Sequence, residues 1–242
     1  MTTITSTFDN SGRKDWRAAF SALRGLLSDA NDTAQVFRIM RALNAGTAKA
    51  GYDKLLLTAK GGMIASRHVE LADRLSDPAF IGQFSEGSLG AAYARFLAET
   101  GYSAQGLAAV SRTDDLSREV EHPYAWFARR TRDIHDIWHI LTGYRSDDPL
   151  GEACLTAFSY AQTGGLGWAM IAVGGAVQAW RSPVGFGGVR AVWEGYRRGR
   201  RAAWLQGEDY EQLLAEPLVS VRERLNIPPP VAYDARLPRR GL

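Results

Sequence analysis

A single cysteine, Cys154, stands in 242 residues, so no disulfide can form within the chain and the bridge-stapled frame of a small secreted domain is excluded. A reducing, cytoplasmic setting suits that scarcity. Histidine is nearly as rare, with four in all. No charge sign dominates either: 29 Lys and Arg stand against 26 Asp and Glu, a formal net charge of +3. That balance is too small to argue for nucleic acid, and no groove-reading motif accompanies it. No stretch alternates apolar and polar residues as a strand does, and no repeat or low-complexity tract is present. The opening stretch, Met1 to Gly12, is rich in Ser and Thr. It has no apolar core for a secretory signal, and Asp9 and Asp15 weaken a transit-peptide reading, so residues 1–12 read as a short disordered lead.

What the chain does have is apolar material, 45% of its residues against 23% charged, enough for one sizeable core. It recurs at helical spacing, as in Phe20, Leu23, Leu26 and Leu27, then Val36, Phe37, Met40 and Leu43. The expected fold is therefore all-α, a single helical bundle-like domain over residues 13–230. Ser28-Asp29 and Asn31-Asp32 offer N-caps for the second helix, and Leu89 to Thr100 reads as a helix ended by Gly101. Ile227-Pro228-Pro229-Pro230 closes the last helix, and residues 231–242 read as an extended tail.

The chemistry gathers in Asp133-Ile134-His135-Asp136-Ile137-Trp138-His139-Ile140-Leu141-Thr142-Gly143. Ile134, Ile137, Trp138 and Leu141 make an apolar helical stripe, and Gly143 is placed to end it. His135 and His139 leave one face of that helix about 6 Å apart along its axis, within reach of a single metal ion. Asp136 lies roughly 100° round from His135 and about 60° from His139, suited to bind the same ion or to orient a histidine. Asp148-Pro149 reads as the cap and first residue of the next helix, which would bring Glu152 back over the histidines. Two imidazoles and two carboxylates suit zinc or a similar first-row divalent ion. Histidines at this spacing can equally be surface or hydrogen-bonded core residues; their setting between isoleucines and tryptophan favours the metal. The other two, His68 and His122, read as ordinary residues, His122 at a turn before Pro123.

Ala153 through Trp180 contains no charged residue, long enough to cross a bilayer. Gln162, Thr163 and Gln178, and the break Gly164-Gly165-Leu166-Gly167, divide it instead into two buried helices. These form either a plain core hairpin or the wall of an apolar cavity for a lipid chain. From Arg190 to Trp204, Trp193, Tyr196 and Trp204 are mixed with Arg197, Arg198, Arg200 and Arg201. Such a helix either lies on an anionic membrane surface or presents a solvated basic face.

His135-Asp136-Ile137-Trp138-His139, Leu141-Thr142-Gly143-Tyr144 and Leu150-Gly151-Glu152 resemble the coenzyme Q (ubiquinone) biosynthesis protein 4 family, whose signature is His-Asp-x-x-His followed a dozen residues on by Glu. Gly87-Ser88-Leu89-Gly90, Gln162-Thr163-Gly164 and Pro217-Leu218-Val219-Ser220-Val221-Arg222 extend the likeness over roughly residues 20–230. One departure is that twelve residues, 140–151, separate His139 from Glu152, one more than in the common eukaryotic form. The extra residue falls in the polar loop Arg145 to Asp148.

The resemblance implies an all-α fold and a metal held by His135, Asp136, His139 and Glu152. It implies a polyprenylated quinone precursor as substrate, and a lyase reaction that removes the carboxyl group at ring carbon C1 of a prenylated 4-hydroxybenzoate, in some members with hydroxylation of that carbon. The expected setting is the cytoplasmic face of the inner membrane, bound peripherally, with other ubiquinone biosynthesis enzymes and a second copy of the chain as candidate partners. Two other classes stay open: a non-enzymatic lipid-binding scaffold for those enzymes, and a phosphohydrolase of the His-Asp type, which needs a further upstream histidine.

Overall fold

The computed structural model describes residues 13–29, 32–113 and 121–237, so the expected lead 1–12, Asn31 and the last five residues lie outside it. The described residues form helices and no strand, with one isolated bridge between Ser88 and Pro217. In chain order the helices are α1 (Trp16–Ser28), α2 (Thr33–Leu43), α3 (Thr47–Leu56), α4 (Gly61–Arg67), α5 (Leu71–Ser76), α6 (Pro78–Gly82), α7 (Leu89–Thr100) and α8 (Ala104–Thr113). They continue as α9 (Pro123–Asp133), α10 (His135–Thr142), α11 (Pro149–Thr163), α12 (Leu166–Arg181), α13 (Phe186–Arg201), α14 (Tyr210–Leu213), α15 (Leu218–Arg224) and α16 (Val231–Asp234).

Local chemistry explains several of the ends. Ser88 accepts a hydrogen bond from Ala91 N at the start of α7, and Gly101 closes it at φ +69°. Asp148 accepts from Leu150 N with Pro149 as first residue of α11, as the sequence predicts. At the head of α2, Asp32 holds the cap position, while Ser28 and Asp29 finish α1 instead.

The central core lies where α10, α11 and α13 meet. Ile137, Trp138, Leu141, Leu155 and Phe158 are sealed there, and Trp138 Nε1 donates to the buried Tyr210 hydroxyl at 2.7 Å. α13 lies almost on the backbone of α11, because a methyl group on Gly195 or Gly199 would stand 2.4 Å from Cys154 O or 2.6 Å from Phe158 O. Side chains at these two positions would force the helices apart.

Three expectations need correction. The charge-free stretch does split at Gly164 and Gly165 into α11 and α12, but only α11 is mostly buried; Val173, Val177 and Trp180 of α12 are exposed. Among the described residues no helix is long and apolar enough to cross a membrane. The tail is not extended at its start: α16 folds back and buries Tyr233, whose hydroxyl donates to Asp148 Oδ2 at 2.7 Å. Finally, the basic cluster of α13 is divided. Arg197, Arg200 and Arg201 are exposed, but Arg198 is buried with its guanidinium over the Tyr144 ring. Trp204 packs under Lys54 and donates to Gln162 O, so it too serves the interior.

Candidate metal and substrate site

The helix bearing the histidines is shorter than its apolar stripe suggests. Ile134 interrupts it, and α10 begins at His135 itself. Just before the break, Asp133 is buried and accepts from Ala72 N of α5 at 3.1 Å and from Arg132 Nε at 2.7 Å. This ties the junction to the protein body. At the other end, Gly143 adopts φ +78°. The last carbonyls of α10 have no intrahelical donors. Two guanidiniums serve them: Arg222 donates to Ile140 O and Leu141 O, and Arg198 to Thr142 O and Pro228 O. Positive charge at the negative helix end is favourable.

His139 is thereby held on both sides. Its Nδ1 lies 2.9 Å from Tyr144 O; a carbonyl only accepts, so Nδ1 carries the proton and Nε2 faces the cavity. Nε2 is 3.1 Å from Glu152 Oε1, and His135 Nε2 is 3.9 Å from Glu152 Oε2. The three donor atoms lie within 4.8 Å of one another. Flat rings back the imidazoles: Trp168 stacks on His135 with centroids 5.4 Å apart, and Phe96 on His139 at 6.2 Å.

The extra loop residue does not carry Glu152 away. Arg145 pairs with Asp147, and Tyr233 binds Asp148, so the loop is pinned before α11 starts. The Glu152 side chain is 41% exposed, but it lines the internal cavity and faces that space. Burial pushes its pKa up; the charges and hydrogen bonds of His139 and His135 outweigh this and bring it down to about 2. For His139, burial opposes a charge, but Glu152 and the Tyr144 carbonyl raise its pKa above the ordinary value. Asp136 is buried on the cavity wall and stands outside the close-set group of three. Burial raises its pKa, the two histidines moderate the rise, and Glu152 adds to it.

The triad opens into a cavity of about 1050 Å³, just above the roughly 300–1,000 Å³ usual for small-molecule pockets. Away from the histidines its wall is mainly apolar, with Leu23, Leu26 and Leu27 of α1, Val36 and Met40 of α2, and Ile171 of α12, interrupted by Arg41, Asn44 and Gln178. The remaining histidines are elsewhere. His68 closes α4 at φ 49° with its ring against Trp126, and the Nδ1 of His122 accepts from Tyr124 N at the start of α9. Sequence reasoning missed Trp168 and Phe96 as ring partners. Trp168 follows directly on the Gly164 to Gly167 break, a usable signal; Phe96 on α7 carries none.

Fold and site together define an all-α, single-domain protein with a His/His/Glu group at one end of a largely apolar cavity. The chain belongs to the coenzyme Q (ubiquinone) biosynthesis protein Coq4 family, whose model matches residues 18–231. It is 28% identical over 151 residues to the mitochondrial ubiquinone biosynthesis protein COQ4 homolog of Nematostella vectensis, covering 62% of this chain and 70% of that protein. To the rat homolog it is 28% identical over 184 residues, 76% of this chain and 67% of that one. A crystal structure of a putative ubiquinone biosynthesis protein from Nostoc punctiforme superposes over 88% of this chain and 99% of that one, with a TM-score of 0.64 and 22% identity. At that identity the likeness concerns the fold.

Proposed function

We propose that this protein acts in ubiquinone biosynthesis as a metal-dependent lyase, removing the C1 carboxyl group from a prenylated 4-hydroxybenzoate-type precursor. The observation that carries this reading is the joining of the triad and the apolar wall in one cavity. A molecule with a polar acid head and a long hydrocarbon tail matches both ends.

The donor set fits a first-row divalent ion such as zinc: two imidazole nitrogens and one carboxylate, with no thiolate. The Tyr144 carbonyl leaves the His139 Nε2 lone pair directed inward, as a ligand requires. When bound, the ion supplies Lewis-acid polarisation of the substrate carboxylate or ring oxygens. Asp136 is assigned the fourth place, either on the ion or holding a histidine. Trp168 flanks the head of the cavity with apolar surface, Phe96 backs His139, and Leu23, Leu26, Met40 and Ile171 receive the tail. The phenol oxygen para to the carboxyl group feeds electron density towards C1. C1 takes a proton from solvent, and its bond to the carboxyl carbon then breaks with loss of CO₂, the bonding pair restoring the aromatic ring; hydroxylation of C1 instead would require O₂ as the oxidant.

The deciding experiment is turnover of a prenylated hydroxybenzoate by metal-loaded protein, read as CO₂ release. A lipid-binding scaffold would hold the substrate and release none, and that outcome would overturn the enzymatic reading. A phosphohydrolase reading lacks support, since neither His68 nor His122 lines the cavity.

A further inference from the structure

We infer that the outer edge of the seam between α1 and α12 is a bilayer-binding surface for anionic lipid, and that this seam is the door through which the prenyl chain enters the cavity. The inference rests on the proposed lipid substrate and adds the route by which that substrate arrives.

The apolar arc of α1 is broad. Ala19 and Ala22 pack into the protein, and Leu23, Leu26 and Leu27 line the cavity. Trp16 and Phe20, four apart on one stripe, lie outside that lining and are nevertheless exposed at 47% and 56%. A helix with only a core to satisfy needs one apolar stripe. Across the seam, α12 repeats the pattern: Ile171 and Gly175 line the cavity, whereas Val173, Val177 and Trp180 face outward. The two helices touch through Gly174, where an added methyl group would stand 3.0 Å from Leu23 Cδ1 and 3.6 Å from Leu27 Cδ2. A glycine against two leucines closes this seam. Only one helix thickness separates the exposed apolar edge from the cavity.

The charge pattern selects the occupant. Arg13, Lys14, Arg17 and Arg24 are exposed on and just before α1, against the single acid Asp15, which caps the helix by accepting from Ala18 N. On the helical wheel Arg17 and Arg24 border the Trp16 and Phe20 stripe. Aromatic residues edged by arginines suit the headgroup boundary of an anionic bilayer. A water-insoluble chain also has reason to pass from bilayer to cavity without crossing water. The exposed arginines of α13, which from sequence suit either a membrane surface or a solvated face, are then secondary.

The test uses the full chain and vesicles of phosphatidylcholine and phosphatidylglycerol. The double variant Trp16→Ser with Phe20→Ser should bind these vesicles about tenfold more weakly and take up a prenylated hydroxybenzoate from them more slowly. Its affinity for the same compound delivered in detergent should be unchanged, with helical content intact by circular dichroism. Arg197→Glu with Arg200→Glu and Arg201→Glu should have a smaller effect. Undiminished vesicle binding by the aromatic double variant would overturn the surface. Weaker vesicle binding with unchanged uptake would overturn the door. A parent that is dimeric by sedimentation, falls to monomer in the double variant and ignores vesicles would assign the edge to a second copy. If the parent fails to bind the compound even in detergent, the proposed function fails separately.

Discussion

The two ends of the cavity are built on opposite plans. At the triad end, α10 is anchored at its start by Asp133 and clamped at its finish by Arg198 and Arg222, while Tyr144 orients His139 and Tyr233 holds the loop before Glu152. At the other end, α1 and α12 meet through Gly174 and leucine side chains. Polar bonds with fixed directions hold donor atoms to fractions of an ångström, which a metal requires; apolar contacts are direction-free and tolerate the passage of a chain. Precision and yielding are separated along one cavity.

The strongest way to break the precise end is His139→Ala. Losing a ligand should weaken metal binding by more than the ~10–100-fold typical of losing an outer partner, and abolish turnover, with helical content kept. Metal analysis of purified protein checks this, and full retention of metal would dissolve the site. Next comes Arg198→Met, which leaves the Thr142 and Pro228 carbonyls without their buried charged donor and should cost about 3 kcal/mol in chemical denaturation. A loss within error would mean that Arg222 alone secures α10.

Glu152→Gln is milder, since the amide keeps the shape but loses the charge that balances a dication. Metal affinity should fall about tenfold and turnover strongly; unchanged turnover would show that the carboxylate is not used. The smallest effect belongs to the yielding end. Ile171→Trp fills the apolar wall and should weaken a long-chain substrate by about fivefold, while 4-hydroxybenzoate without a prenyl chain is unaffected. Equal loss for both compounds would place the tail elsewhere.

Sequence alone determined whatever depends on near neighbours. The all-α class, the Gly101 and Gly143 stops, the Asp148-Pro149 start and the facing of His135 with His139 follow from caps and from a period of 3.6, which act within a turn or two. Tertiary structure decided the rest. Arg198 reads as one of five arginines on α13, yet it turns inward, where the open end of α10 needs a donor. The start of the tail reads as extended, yet Tyr233 is drawn back to Asp148. Leu166 to Trp180 of α12 reads as buried because it lacks charge, yet one face is uncovered. An apolar pattern states which face avoids water; only the packing of distant segments states what covers it.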